Sequence, residues 1–382
     1  MRLRPRFISR WHRWAKVSGH YLFGNGGAPL PLSHVSLELT YRCNHRCNMC
    51  FLYGDHLRPQ NPVLDTIGRR RELSAAEWSL ALEGIRETGT RSLVFTGGEA
   101  FLKEGLLGLL GQAKVLGFSV SLLSNGSRIT EDAARELVRI GVDFVRFSLD
   151  GDRETHDEIC GAPNYDLLMA SVRRIVRAKE SLAAAQPRLG FENVVQRRNQ
   201  GRICSVVEAA HREGVGHVTV SNVYFAPQPG AAARSAGMQT RHVQRELYAV
   251  DAGALAEELA RARALARRYG IDLRSRLGGC AEVQRLYHDP AFSYADKCLY
   301  PWLMCRINPY GDVIPCTGSS LAMGNIMEAS LAEIWNGEAY LRFRRELRAA
   351  GLFGDCLKCN TLASEDARRW RWLPRLRGGV PT

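Results

Sequence analysis

Three closely spaced cysteines, Cys43, Cys47 and Cys50, are the residues whose type and spacing most directly indicate chemistry in this sequence of 382 residues. Together they can bind three corners of a [4Fe–4S] cluster, which normally takes four cysteine thiolates. One iron then stays open, and an open coordination position is where a metal site performs chemistry. The alternative is a zinc site with a distant fourth ligand, although structural zinc sites usually show paired C-x2-4-C modules.

Four further cysteines form a second candidate metal site near the C-terminus. Cys298 and Cys316 flank Gly311 in the order C-x12-G-x4-C, and Cys356-x2-Cys359 follows. The Gly-Asp pair at positions 311–312 lies between apolar residues and predicts a hairpin turn that brings the first two cysteines together. Four thiolates close the coordination shell, so this site fits either a second [4Fe–4S] cluster or structural zinc.

The composition indicates a reducing compartment. The chain has 11 cysteines, several in CxxC-like spacings, and an odd number argues against a secreted disulfide framework and for metal ligation. No apolar run reaches the roughly 18 residues that a membrane span needs. No apolar segment with a cleavage site follows the basic N-terminus, so we expect a cytoplasmic protein.

The formal net charge of +13 lies mostly at the two ends of the chain. Residues 1–37 contain six basic and no acidic residues, and residues 367–382 contain five basic and no acidic residues. Both ends also carry tryptophans, and this combination suits an anionic membrane surface, which would make the protein peripheral at a membrane. The alternative is that both ends are simply solvated, and nucleic acid is not an expected partner.

The strands and helices that must position the cysteines alternate along the chain. Patterns typical of strands occupy residues 34–40, 91–95, 118–123, 144–149, 189–195 and 217–223. Patterns typical of helices occupy residues 74–87, 106–116, 131–140, 165–181, 202–213 and 241–269. Six βα units predict an α/β fold with a parallel sheet and right-handed crossovers, an open, partial (β/α)6 barrel rather than the closed barrel of eight.

Polar and glycine-rich turns follow the predicted strands, at the edge where such folds bind ligands. The turn residues that suit a ligand are Gly97, Gly98, Glu99, Ser124, Asn125, Ser148 and Asp150. The two glycines permit close approach of a cofactor, and Glu99 either accepts a hydrogen bond from an ammonium group or anchors its turn. For the Ser, Asn and Asp residues the alternative is that they only form the turns, since these residue types favour turns in any protein.

Over residues 35–225 these motifs resemble the radical S-adenosylmethionine (radical SAM) superfamily. The matching motifs are Cys43-x3-Cys47-x2-Cys50 with Phe51, Gly97-Gly98-Glu99-Ala100, Ser124-Asn125-Gly126, and Ser148–Gly151 with His156-Asp157. The resemblance implies a [4Fe–4S] cluster whose open iron binds SAM, and reductive cleavage of SAM to a 5′-deoxyadenosyl radical. It also implies cofactor contacts from Phe51 and from the turn residues named above.

One position departs from the family's pattern. Where family members often have Arg before Gly, this chain has Cys160 before Gly161. Cys160 is a candidate hydrogen-atom donor, with a buried small hydrophobe as the alternative. Cys305, Cys204 and Cys280 are further cysteines outside the metal patterns, and Cys305 is the second catalytic candidate, with core packing as its alternative.

The C-terminal cysteines resemble the auxiliary-cluster extension of radical SAM enzymes, called SPASM or, in its shortened form, twitch. No cysteine follows Cys359, which indicates the twitch form with one auxiliary cluster, and the spacing is similar to that of 2-deoxy-scyllo-inosamine dehydrogenases. The predicted domains are a basic arm (1–34), the radical SAM partial barrel (35–270), a twitch or SPASM-like domain (271–365) and a basic tail (366–382).

A fully ligated second cluster suits electron transfer, because it has no open iron for substrate. The sequence therefore predicts an oxidoreductase or epimerase that acts on a sugar or cyclitol-type metabolite, with a one-electron reductant such as flavodoxin or ferredoxin. Two alternatives stay open: radical crosslinking or epimerisation of a ribosomally made peptide, and modification of a lipid-linked or phosphorylated substrate.

Overall fold

The computed structural model is built on one mostly parallel sheet of nine strands in the order β7-β6-β5-β4-β3-β2-β1-β8-β9. Every neighbouring pair is parallel except β8–β9, which is antiparallel. The linear order leaves the sheet open, as the prediction of a partial barrel requires. The structure describes residues 21, 32–50, 52–53, 67–223, 249–289, 291–317, 319, 321–364 and 367.

The strands and helices are numbered here in chain order. The strands are β1 (His34–Glu38), β2 (Ser92–Thr96), β3 (Ser119–Ser124), β4 (Phe144–Ser148), β5 (Arg188–Val195), β6 (His217–Asn222), β7 (Asp272–Ser275), β8 (Met304–Ile307) and β9 (Val313–Ile314). The helices are α1 (Ala75–Glu87), α2 (Leu106–Val115), α3 (Glu131–Ile140), α4 (Arg153–Cys160), α5 (Tyr165–Ser181), α6 (Ile203–Arg212), α7 (Ala252–Tyr269), α8 (Cys280–His288), α9 (Leu331–Asn336) and α10 (Glu338–Ala350).

Helix starts follow the local capping chemistry. Ser74 and Glu77 form a capping box at α1, as the sequence predicts. The last predicted helix, 241–269, begins only at Ala252, because Asp251 adopts an extended conformation and accepts a hydrogen bond from Ala254 N. Residues 241–248 lie outside the described part of the chain. The short helix α4 and the seventh parallel strand β7 were not predicted.

The two faces of the sheet differ in accessibility. The outer face carries residues such as Val35, Leu37 and Phe95, which are completely buried in one core with helix residues such as Trp78 and Leu110. On the inner face, alternate residues of β2, β3 and β4 are only partly buried. This alternation fits strands with helices on one side and a less covered face on the other.

The C-terminal cysteine segment joins the barrel sheet directly. β8 lies parallel to β1, with Val35 opposite Cys305 and Ser36 opposite Arg306. On the inner face Arg306 Nη1 donates to both carboxylate oxygens of Glu38 (2.8 and 3.0 Å), and Nη2 donates to Ser319 O (2.7 Å). The Arg306 and Glu38 side chains are only 6% and 5% exposed, so this ion pair is buried.

No helix in the described part of the chain is long and apolar enough to cross a membrane.

Replacing Glu38 by Gln will destabilise the protein by about 3 kcal/mol, because it leaves the Arg306 charge buried without its counter-ion. The midpoint of denaturant unfolding, followed by tryptophan fluorescence, measures this loss. Glu338→Gln is the matched control, since Glu338 pairs with Arg345 on the surface, and it should change stability by less than about 1 kcal/mol. Equal effects of the two substitutions would contradict the importance of the buried pair.

Candidate functional site

The cysteine loop, residues 43–50, follows β1 and lies against the C-terminal end of α4. Three half-buried thiols belong to it: Cys43, Cys47 and Cys50. The loop backbone is fixed by hydrogen bonds from Arg46 N to Cys160 O (3.1 Å) and from Asn48 N to Ile159 O (3.0 Å). The three cysteines therefore lie on one loop whose backbone is held by hydrogen bonds to α4.

The thiols of this loop lie near enough to influence one another's ionisation. Burial raises the pKa of Cys43 to about 12, and the neighbouring Cys47 and Cys50 add to the rise. The pKa of Cys47 is raised well above its usual value by a hydrogen bond with Cys160 and by burial. Thiols in this state keep their protons near neutral pH, so binding of a metal group would release protons.

The donor set, three cysteine thiols on one short loop, fits an iron–sulfur cluster. Zinc places its cysteine sulfurs about 2.3 Å from one centre, whereas a four-iron cluster holds each thiolate on a separate iron. Cys43, Cys47 and Cys50 would hold three of those irons.

Gly97 and Gly98 lie directly against the backbone that leads into the cysteine loop. A Cβ atom on Gly97 would be 2.4 Å from Thr40 O, and one on Gly98 would be 2.3 Å from Arg42 O. Gly98 N donates to Thr40 O (2.7 Å), and Glu99 N donates to Arg42 O (2.9 Å). The structure shows close approach between two loops of the chain. Close approach of a cofactor to Gly97 and Gly98 stays a prediction.

Glu99 anchors its turn, which is the second of the two roles predicted for it. It is completely buried, and Oε1 accepts hydrogen bonds from Ser124 Oγ (2.8 Å) and Phe101 N (3.0 Å). Oε2 accepts from Asn125 N (2.7 Å). Burial raises the pKa of Glu99, and these hydrogen bonds oppose the rise. With its oxygens occupied in this way, the carboxylate organises the turns after β2 and β3.

Ser124 and Asn125 also hold the loops together. Ser124 Oγ, besides donating to Glu99, accepts from Gly126 N (3.0 Å). Asn125 Nδ2 donates to Asn44 Oδ1 (3.0 Å) in the cysteine loop, and Asn125 Oδ1 accepts from Ser127 N and Ser127 Oγ. These contacts match the turn-chemistry alternative, and a cofactor contact from either residue stays a prediction.

Asp150 is buried, whereas Ser148 is partly accessible. Asp150 Oδ1 accepts from Val194 N (2.8 Å), and its carbonyl accepts from Asn199 Nδ2 (2.9 Å), which joins the ends of β4 and β5. Burial raises the pKa of Asp150 to about 6. Ser148 ends β4 on the inner face, so it keeps a position suited to the predicted cofactor contact.

The remaining cysteines lie in different parts of the fold. Cys305 is completely buried on the outer face, and burial raises the pKa of its thiol, so the geometry does not support a hydrogen-donor role at the inner face. Cys204 Sγ lies 3.9 Å from Glu258 O between α6 and α7, and Cys280 is exposed at the start of α8. Only Cys160 adjoins the cysteine loop.

The second cysteine set gathers around the β8–β9 hairpin. The predicted turn is confirmed: Gly311 has φ +85°, and Asn308 Oδ1 accepts from the backbone of residues 310 and 312. The pKa of Cys298 is raised well above its usual value by burial and then by Cys356 and Cys316. Cys359 also contributes, and all four would hold the second metal group.

Sequence reasoning missed two side chains that brace the cysteine loop. Asn48 Nδ2 donates to Gln196 Oε1 (3.2 Å), and Gln196 Nε2 donates to Asn48 Oδ1 (3.0 Å). Gln196 directly follows β5, at the same sheet edge as the other site residues, and that position was the signal available. Phe51 and nearly all of both basic tails lie outside the described residues.

Comparison with protein families agrees with both cysteine sites. The model of the Radical SAM superfamily matches residues 37–184, and the model of the SPASM iron–sulfur cluster-binding domain matches residues 298–360. These matches contain the first and the second cysteine set, respectively, and they confirm the resemblance predicted from the motifs.

Relatives with similar sequences include PqqA peptide cyclases. That of Xanthomonas euvesicatoria pv. vesicatoria is 30% identical over 328 residues, which cover 83% of this chain and 77% of the relative. That of Streptomyces rochei is 29% identical over 316 residues, covering 81% and 76%.

Solved structures with a similar fold include Streptococcus suis SuiB bound to its precursor peptide SuiA. It has a TM-score of 0.62 and 14% identity, with 94% of this chain and 77% of SuiB covered. The enzyme anSMEcpe with bound AdoMet has a TM-score of 0.57 and 15% identity, with 84% of each chain covered. At these identities the likeness concerns the fold.

Replacing Gly98 by Ala will lower stability by about 1–3 kcal/mol, because the added methyl group must displace the Arg42 carbonyl. It should also lower the iron content after anaerobic reconstitution. Gly84→Ala in α1 is the matched control, since a Cβ there meets nothing within 4 Å, and it should stabilise the protein by about 0.5–1 kcal/mol. Full iron loading and unchanged stability of Gly98→Ala would contradict the close packing.

Proposed function

The chain belongs to the radical SAM superfamily and carries a SPASM iron–sulfur domain, and from this premise we propose that it modifies a peptide by radical chemistry. The observation that carries the proposal is the similarity to PqqA peptide cyclases, which extends over 83% of the chain. This supports peptide modification over the sugar or cyclitol substrate that the sequence analysis placed first.

The superfamily's [4Fe–4S] cluster and SAM supply a 5′-deoxyadenosyl radical when bound. In this chain Cys43, Cys47 and Cys50 would hold that cluster and leave one iron for SAM. Glu99, Asn125 and the paired glycines fix the loop, so their role is to hold the three thiols in one geometry. Ser148, half-buried on the inner face, is the residue we propose for direct contact with SAM.

The inner face of the sheet offers the substrate a polar, partly accessible surface. On it Arg146 Nη1 lies 3.3 Å from Glu192 Oε1, and neither side chain is fully buried. Polar groups on this partly accessible face suit a substrate that presents amides and polar side chains rather than one that is entirely apolar. The accessible strip continues along β4 towards Ser148.

A crosslink in a peptide requires an electron acceptor. The substrate first loses one hydrogen atom, and closure of the new bond then releases a proton and an electron. We propose that Cys298, Cys316, Cys356 and Cys359 hold one auxiliary [4Fe–4S] cluster that takes this electron. A one-electron reductant of the flavodoxin or ferredoxin class would supply the electron for SAM cleavage.

Replacing Cys43, Cys47 and Cys50 together by Ala will abolish formation of 5′-deoxyadenosine, because no thiolate remains for the SAM-binding cluster. Chromatography after incubation with SAM and dithionite measures the product, and Cys204→Ala should retain it. Iron analysis should show about eight irons per wild-type chain falling to about four in the triple variant. Retained 5′-deoxyadenosine in the triple variant would contradict the assignment of these ligands.

Incubation with short peptides encoded beside the gene, SAM and dithionite should convert one peptide to a product that lacks two hydrogen atoms. Mass spectrometry measures this loss. If the peptide is epimerised instead, its mass stays constant in H2O, and in D2O it gains one deuterium.

The matched variant is Cys356→Ala combined with Cys359→Ala, which should still form 5′-deoxyadenosine but no crosslinked peptide. Conversion of a sugar or cyclitol, with every peptide left unchanged, would overturn the proposal of a peptide substrate.

A further inference from the structure

A cleft between the helices α4, α5 and α6 gathers three arginines that the reaction outlined above does not use. It has a volume of about 310 Å³ and is lined by Arg153, Tyr165, Asp166, Met169, Arg173 and Arg212. Arg153 is the first residue of α4 and follows shortly after the end of β4, so this end of the cleft lies at the sheet edge that carries the cysteine loop. The cleft is therefore close to the site but separate from the thiols.

A buried carboxylate holds two of these arginines in place. The Glu213 side chain is only 3% exposed, and its Oε2 accepts from Arg173 Nε (2.7 Å). Its Oε1 accepts from Arg173 Nη2 (2.6 Å) and from Arg212 Nε (3.1 Å). Burial acts to raise the pKa of Glu213, but the hydrogen bonds from both arginines outweigh it and hold the pKa below its usual value. Arg212 Nη2 also donates to Tyr165 OH (2.8 Å), so both guanidinium groups have a fixed orientation.

The third arginine is positioned by the start of α5. The guanidinium carbon of Arg153 lies 5.2 Å from the centroid of the Tyr165 ring, and its Nη1 donates to Asp166. The Asp166 side chain is 69% exposed, so water screens its charge strongly. Asp166 therefore neutralises Arg153 less completely than Glu213 neutralises its partners.

The cleft keeps one excess positive charge and unused hydrogen-bond donors. Three guanidinium groups meet two carboxylates, Glu213 and Asp166, which leaves one positive charge. Towards the residues that the structure describes, Nη1 of Arg173 and Nη1 of Arg212 donate no hydrogen bond. The two side chains are each 55% exposed, so a ligand can reach them. Guanidinium groups match the geometry of a carboxylate, and a single excess charge is balanced by a monoanion.

We propose that this cleft binds the carboxylate side chain of an acidic segment of the peptide substrate, outside the segment that is modified. The cleft is larger than a carboxylate alone requires, which leaves room for the peptide backbone on either side. Because the Arg153 end lies at the sheet edge, a peptide that occupies the inner face can extend over that edge into the cleft. The inference rests on the proposed function and adds a specificity site to it.

The test measures binding of two short labelled peptides to the full chain by fluorescence anisotropy, without SAM or a reductant. The peptides differ only in carrying Glu or Gln at the same positions. The Glu peptide should bind wild type about tenfold more tightly than the Gln peptide, and Arg153→Gln and Arg212→Gln should each weaken its binding by about three- to tenfold. Arg177→Gln is the matched control, since Arg177 also lies on α5, is 58% exposed and pairs with Glu131 outside the cleft.

Equal binding of the two peptides to wild type would overturn the proposal. Equal weakening by Arg177→Gln would also overturn it, because net charge alone would then explain the binding. At equal ionic strength, displacement of the Glu peptide by less inorganic phosphate than acetate would overturn the assignment of a carboxylate. If Arg212→Gln does not fold, Arg153→Gln decides alone, since its partner Asp166 is exposed.

The failure of this site and the failure of the proposed function are distinguishable. A chain that converts a peptide but binds the Glu and Gln peptides equally would contradict only the cleft. A chain that prefers the Glu peptide but converts no peptide would contradict the proposed function.

Discussion

The contact on which the rest of the site depends is the backbone pairing between the residues that lead into the cysteine loop and the turn after β2. Gly98 N donates to Thr40 O, and Glu99 N donates to Arg42 O. These two hydrogen bonds hold the two backbone segments so close together that no side chain fits at Gly97 or Gly98. Glu99 then binds the turn after β3 through its carboxylate. These main-chain contacts and the buried carboxylate of Glu99 therefore fix the loop that carries the three thiols.

The two cysteine sites are linked through a single strand. β1 leads to the first site at its C-terminal end and pairs along its edge with β8, which begins the hairpin of the second site. The buried Glu38–Arg306 ion pair lies across this junction. Because such a pair is costly to bury and demands good geometry, its value lies as much in fixing how β8 meets β1 as in net stability.

Much of the fold could be predicted because the signals are local. Local sequence patterns predicted α3 and α5 at their observed bounds, and the spacing of Cys43, Cys47 and Cys50 identified the first site. The sequence offered two roles each for Glu99 and Asn125 and could not choose between them, since their hydrogen-bond partners come from other loops. Which face of the sheet Cys305 occupies depends on its pairing with β1, a contact across about 270 positions of sequence that no local pattern encodes.

The pairing of β1 with β8, which is distant in sequence, also affects how the chain folds during synthesis. During synthesis β1 leaves the ribosome early, whereas β8, its neighbour on one side, is among the last strands to appear. Until then one edge of β1 has unpaired main-chain groups, which are a template for pairing with other chains. The nascent protein therefore depends on the segment from residue 304 onward to close that edge, and truncation before residue 304 is expected to cause aggregation rather than release a functional barrel.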